Sequence, residues 1–170
     1  MIEPVKKLRV PKELKKYGNG KIPAHELIKI TGGGTMWGPA GFWWNHMCAD
    51  AAQSGIIIKG VSEGYRSLAR QEALFFSRYD RKPTGRIPEV TRIYKLKKYW
   101  LRKGKAPAAT PGHSPHGWAL AQDIEVPKAT YDWMCANAPR WGFYLQGPSK
   151  LRNGKPNPEF EAWHWQFCHV

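Results

Sequence analysis

Residues 118–126, WALAQDIEV, alternate with the two-residue period of a half-buried strand, yet the strand they predict carries a carboxylate. With residues two apart sharing a face, Ala119, Ala121 and Asp123 line one side and Leu120, Gln122 and Ile124 the other. Two alanines leading to an acid leave room above the sheet for something bulky. A buried carboxylate persists when it is paired or metal-bound, and His116 stands just upstream in a Gly/Pro-rich turn. The C-terminal run EAWHWQF, 161–167, has a matching pattern. Trp163, Trp165 and Phe167 share an apolar face, His164 and Gln166 take the other, and Glu161 sits where loop meets strand.

The remaining elements are short and interspersed. PAGFWWNHMCADAAQS (39–54) reads as a helix with Pro39 in its first turn and Gly55 past its end. Residues 56–62 read as a β-branched strand, and SLARQEALFFSRYD as a helix capped by Ser67. From Lys82 to Pro111 the chain is basic and irregular, with RIYKLKKYWLRK (92–103) a candidate short helix. A helix beginning at Pro127 ends before Pro139, and a turn-rich loop leads to the final strand, 162–170. This mixture argues for a compact α+β domain around a small sheet. A chain of 170 residues fits one domain with a self-sufficient core.

The net charge of +14 is uneven. Residues 1–21 hold seven Lys/Arg against Glu3 and Glu13, and residues 78–105 hold eleven against Asp80 and Glu89. Such a field attracts polyanions: nucleic acid, anionic membrane or the acidic polymers of a bacterial wall. No apolar run is long enough to span a membrane. The basic start is followed by no apolar segment of signal-peptide type, so synthesis in the cytoplasm is expected. Cys48, Cys135 and Cys168 are far apart and read as reduced thiols. Cys168 and the adjacent His169 would point to opposite faces of a strand and make no metal pair.

Two His nitrogens and one carboxylate oxygen suit Zn²⁺ with a fourth position open to water, and Glu161 is the natural non-ligand proton acceptor. Each residue has an ordinary alternative: His116 and His164 as hydrogen-bonded core histidines, Asp123 paired with an arginine, Glu161 as a surface acid. The helix-borne HExxH signature is absent.

SPHGWALAQD (114–123) resembles the SxHxxGxAxD motif of the D-alanyl-D-alanine metallopeptidase superfamily, and EAWHW (161–165) resembles its ExxHW motif. GYRSLARQEALF, MCANAPRWGF and GNGKIPAHELIKI resemble further family segments, extending the likeness over most of residues 18–168. The superfamily includes VanY-type carboxypeptidases, VanX-type dipeptidases and phage L-alanyl-D-glutamate endopeptidases. The resemblance implies a compact single α+β domain whose small, mainly antiparallel sheet carries one zinc between flanking helices. Residues 1–17 would form a basic N-terminal segment and 18–170 the peptidase domain, with a basic insertion at about 78–105. It further implies that His116, Asp123 and His164 bind zinc and that Glu161 is the catalytic base. Arg66 would bind substrate or stabilise the oxyanion, with Gln71, Ser114 and Trp163 as substrate contacts. The motif's central glycine is Ala119 here, which a strand would tolerate. His113 is a weaker alternative ligand, and His25 and His46 match no motif position.

The resemblance and the charge together point to a phage endolysin. Such an enzyme is made in the host cytoplasm, acts on the wall after release, and cuts the L-Ala–D-Glu bond of the stem peptide. A D-alanyl-D-alanine carboxypeptidase is the alternative. Further readings are an inactive structural relative, or a nucleic-acid-binding module using Tyr94, Tyr99 and Trp100. Attachment to anionic wall polymers would fall to the basic segments, and a monomer is expected.

Overall fold

The computed structural model describes residues 2–168, so His169 lies outside the described residues. In chain order the elements are α1 (Lys12–Lys15), β1 (Leu27–Lys29), β2 (Thr35–Trp37), α2 (Gly38–Gln53), α3 (Leu68–Arg78), β3 (Tyr79–Asp80), β4 (Thr91–Tyr94), β5 (Lys97–Leu101), β6 (Ala121–Asp123), α4 (Lys128–Asn137), β7 (Phe143–Leu145) and β8 (His164–Phe167). The strands form three small antiparallel sheets, β1–β2, β3–β5–β4 and β6–β8–β7. No described helix is long and apolar enough to cross a membrane.

The third sheet carries the core. β8 lies between β6 and β7, so both its edges are paired, and all four of its residues are buried. Phe167 packs with Phe143, Trp165 belongs to the same core, and Trp44 meets Phe143 edge-on at 5.1 Å between ring centroids. α2 presents Ala40, Trp44, Met47, Cys48 and Ala51 to this core, the three-to-four-residue spacing that puts side chains on one helical face. α3 starts at Ser67, whose hydroxyl accepts the Arg70 N–H, and buries Gln71 and Phe75. Phe75 then builds a second small core with Tyr79, Tyr99 and Leu101 beneath the β3–β5–β4 sheet.

Four local expectations are corrected. Residues 92–103 form the β4–β5 hairpin instead of a helix, turning at Lys95 and Leu96, both with positive φ (48° and 59°). Tyr99 and Leu101 are buried on either side of half-buried Trp100 along β5, so burial against Phe75 selects the strand period. Residues 56–62 form no strand and make only a bridge at Gly60–Ile124. The Ser62 hydroxyl takes the Asp123 N–H that a continuing ladder would have used. Ala119 is not on the strand: it ends the 3-10 turn Pro115–Trp118 in the left-handed region, φ 57°. Trp163 precedes β8 and is 41% exposed, outside the apolar face of Trp165 and Phe167.

The basic N-terminal segment packs onto the third sheet. Val5 bridges Leu145 of β7 in parallel, and the Gln166 side chain donates to the Lys6 carbonyl at 2.8 Å.

Candidate metal centre

The 3-10 turn that begins at Pro115 delivers His116 to the interior, where it is 4% exposed. Its Nδ1 lies 2.8 Å from the Gly64 carbonyl oxygen. A carbonyl can only accept, so Nδ1 carries the hydrogen and Nε2 is left with a lone pair turned to the site. Gly64 supports this through its own backbone. Its φ is +67°, and a Cβ there would lie 2.4 Å from the Thr35 carbonyl oxygen.

Asp123 closes β6 and His164 opens β8, and the two are register partners. Asp123 Oδ1 is 3.2 Å from His116 Nε2 and 2.9 Å from His164 Nδ1. The ligand atoms of all three residues lie within 4.8 Å of one another. Two ring nitrogens thus converge on one carboxylate oxygen. In a purely structural arrangement each would need a proton, and His116, already donating through Nδ1, would have to be an imidazolium. A metal cation satisfies both lone pairs and the carboxylate without that charge. Among the described residues His164 Nε2 is buried with no hydrogen-bond partner, unlike a histidine held for structure alone. The donor set, two imidazoles and one carboxylate, leaves one position of a four-coordinate ion for a further ligand and fits a catalytic divalent metal. Burial alone would raise the Asp123 carboxyl, but the hydrogen bonds from His116 and His164 outweigh it and hold the group well below the usual carboxylate range.

Glu161 is placed by a turn in which the His164 N–H donates to its carbonyl at 3.1 Å. Its carboxyl is partly buried, and that burial chiefly raises its pKa. The charge of Asp123 adds to the rise, while His164, Arg78 and Arg66 oppose it. A carboxyl so placed exchanges a proton more readily near neutrality than a free glutamate does.

Arg66 lies with its guanidinium Nε 3.4 Å from Glu63 Oε1, its side chain mostly buried. Its backbone N–H donates to the His116 carbonyl at 3.0 Å, joining the GYRS segment to the metal-ligand turn. Gln71 and Ser114 are buried, and Ser114 is the residue from which that turn starts. Gln71 Nε2 donates to Asn19 Oδ1 and to the Arg66 carbonyl, and its Oε1 accepts the Gly112 N–H. Asn19 in turn donates to the Ser114 carbonyl at 2.7 Å. In this structure Gln71 braces the turn. Trp163 stands exposed two residues after Glu161, and His113 is exposed and outside the ligand group.

The structure therefore gathers His116, Asp123, His164, Glu161 and Arg66. Sequence reasoning missed the Gly64 carbonyl, which has no side-chain signature, and Asn19, whose partners lie some 50 and 95 positions away. It also missed Arg78, whose charge reaches Glu161 and which looked like one cation among many.

A profile of the family described as VanY, D-alanyl-D-alanine carboxypeptidase, matches residues 43–170. Comparison with curated protein sequences gives no match. Among solved structures, a variant of the vancomycin resistance D,D-pentapeptidase VanY from a VanB-type cassette, in complex with Zn(II), is similar at TM-score 0.61 and 20% identity. That alignment covers 99% of this chain and 87% of the other. The LD-carboxypeptidase LdcB is similar at TM-score 0.61 and 23% identity, covering 97% and 84%. VanYB in complex with D-alanine-D-alanine gives 0.59 and 21%, covering 95% and 86%. At these identities the structural likenesses establish the fold. With the profile match spanning both ligand-bearing strands, the chain belongs to the VanY D-alanyl-D-alanine carboxypeptidase family of metallopeptidases.

Proposed function

We propose that this chain is a zinc-dependent peptidase of bacterial peptidoglycan in which His116, Asp123 and His164 hold one zinc and Glu161 is the catalytic base. The observation that carries the proposal is the convergence of His116 Nε2 and His164 Nδ1 on Asp123 Oδ1, with the Glu161 carboxyl raised in pKa beside them. When bound, zinc supplies Lewis acidity toward a carbonyl and lowers the pKa of a water to about 7. The residues do the rest. Glu161 takes a proton from the attacking water and returns it to the departing amine. Arg66 offers a fixed cation, screened from solvent, to the negative charge that develops on the carbonyl oxygen.

Two bonds of the stem peptide fit such a site, each favoured by a different observation. The exposed cations of the β3–β5–β4 region, among them Lys97, Lys98, Lys103 and Lys105, favour a lytic enzyme drawn to an anionic wall. This is a phage endolysin acting on the wall after release from the host cytoplasm and cutting L-Ala–D-Glu. The family match favours removal of terminal D-Ala instead. Mass spectrometry of peptidoglycan digested by the zinc-loaded protein, with a chelated control, separates them. New free D-Glu amino termini are the expected product, whereas loss of terminal D-Ala alone establishes the carboxypeptidase. No chelator-sensitive product from walls of several chemotypes would overturn the peptidase proposal.

A further inference from the structure

Glu161 ends a loop, 146–160, that contains no helix or strand, and a base on an untethered loop would be poorly aimed. The end of the loop is held to β8 by the His164 N–H on the Glu161 carbonyl and the Trp165 indole N–H on the Ala162 carbonyl. The tethers of its middle lead to the N-terminal arm, ahead of the segment matched by the family profile. Glu3 Oε2 accepts the Ser149 N–H at 2.7 Å, and its Oε1 accepts the Tyr131 hydroxyl of α4 at 2.8 Å. The Ser149 carbonyl accepts the Asn157 N–H at 2.7 Å, and the Asn157 carbonyl accepts the Phe160 N–H at 3.1 Å, next to Glu161. The Asn157 side chain closes the same loop by donating to the Pro148 carbonyl at 2.8 Å. The arm itself is fixed to the sheet that bears His164. Leu145 donates to the Pro4 carbonyl at 2.9 Å, Lys6 donates to the Leu145 carbonyl at 3.2 Å, and Gln166 of β8 donates to the Lys6 carbonyl.

We propose that Glu3 is a positioning residue for Glu161: through Ser149 and Asn157 it sets the height of the base-bearing loop against the metal-ligand sheet. The inference rests on the reading of Glu161 as the base. A displacement near 1 Å at a reacting group can cost about a hundredfold in rate, so a partial loss of register should be visible in kcat.

The test compares zinc-loaded wild type, Glu3→Ala and Glu161→Gln on a peptidoglycan fragment that the wild type cleaves, together with amide hydrogen exchange and zinc affinity. Glu3→Ala should lower kcat about tenfold or more with KM and zinc affinity unchanged. Exchange should quicken at Ser149, Asn157 and Phe160 and stay unchanged from His116 to Asp123. Unchanged kcat despite faster loop exchange would overturn the inference, as would a kcat loss accompanied by weaker zinc binding and faster exchange throughout. If Glu3→Ala does not fold, Tyr131→Phe, which removes one of the two contacts to Glu3, should show the same pattern more weakly, and wild-type kcat in it would count against the inference. Hydrolysis surviving in Glu161→Gln would overturn the base assignment, whatever Glu3 does.

Discussion

Gly117 adjoins His116, and its replacement by alanine should disturb both stability and metal binding. A Cβ at this position would lie 1.9 Å from Asn19 Oδ1, 2.4 Å from Gln71 Nε2 and 2.6 Å from Asn19 Cγ. These are not the free ends of surface side chains. Gln71 Nε2 donates to Asn19 Oδ1 at 3.0 Å, Asn19 Nδ2 holds the Ser114 carbonyl, and the Gly117 carbonyl accepts the Gly20 N–H at 2.7 Å. Forcing a methyl into a packed interior costs about 1–3 kcal/mol. Separating the two buried amides adds about 1–3 kcal/mol for groups left unsatisfied. The lower chain entropy of alanine in the unfolded state returns only about 0.4–1 kcal/mol. The net expectation is a loss of about 1–6 kcal/mol, centred near 3, which at the centre is about 6–12 °C in Tm for a domain of this size. Because the same turn aims His116, zinc affinity should fall as well. Thermal and urea unfolding, with a competition titration against a chromophoric chelator, measure both. A Gly117→Ala protein with Tm within about 2 °C of wild type and undiminished zinc affinity would show that the brace does not hold the ligand.

Ala119→Gly should be nearly neutral in urea unfolding, because relief of the left-handed backbone, about 1–2 kcal/mol, is offset by a lost buried methyl, about 0.8 kcal/mol, and by added chain entropy. A change beyond about 2 kcal/mol either way would refute that balance. Glu161→Gln should abolish hydrolysis with zinc retained, and in the metal-free protein it should raise Tm at neutral pH. The folded pKa of Glu161 is raised, so its favourable contribution is present below the unfolded value of about 4.3 and is lost as pH rises through the folded pKa. The advantage of glutamine should therefore vanish in acid, and calorimetry at both pH values checks the sign. Neutralising Lys95, Lys97, Lys98, Arg102 and Lys103 together should weaken binding to purified walls and flatten its salt dependence, while unchanged salt dependence would exclude this surface as the attachment.

The site was more legible in the sequence than the fold around it. His116, Asp123 and His164 sit in short runs whose alternation and turn residues survive into the structure, because a buried strand between two neighbours leaves little freedom of register. The β4–β5 hairpin was hidden for a definite reason. Two-residue hairpin turns with positive φ at both positions ordinarily carry Asn or Gly, and here Lys95 and Leu96 fill them. Meanwhile Ile93, Leu96 and Trp100 repeat at helical spacing. Ala119 misled for the opposite reason: its neighbours alternate perfectly, but the left-handed backbone that ends the 3-10 turn is a conformation in which alanine gives no sequence signal. The braces from Asn19 and Glu3 were unreadable because each joins segments distant in sequence through only two side-chain hydrogen bonds.

The described cysteines are all free thiols, so no covalent link holds distant parts of this chain together. The metal centre can take over that duty. An ion shared by His116, Asp123 and His164 closes a loop of about 50 residues, and in the chain-entropy treatment a disulfide around such a loop contributes about 4 kcal/mol. Because Asp123 and His164 face each other across one rung of the β6–β8 ladder, the staple can close only when those strands are correctly aligned. Metal uptake would then report correct folding, and the apoprotein would be the form most exposed to proteolysis.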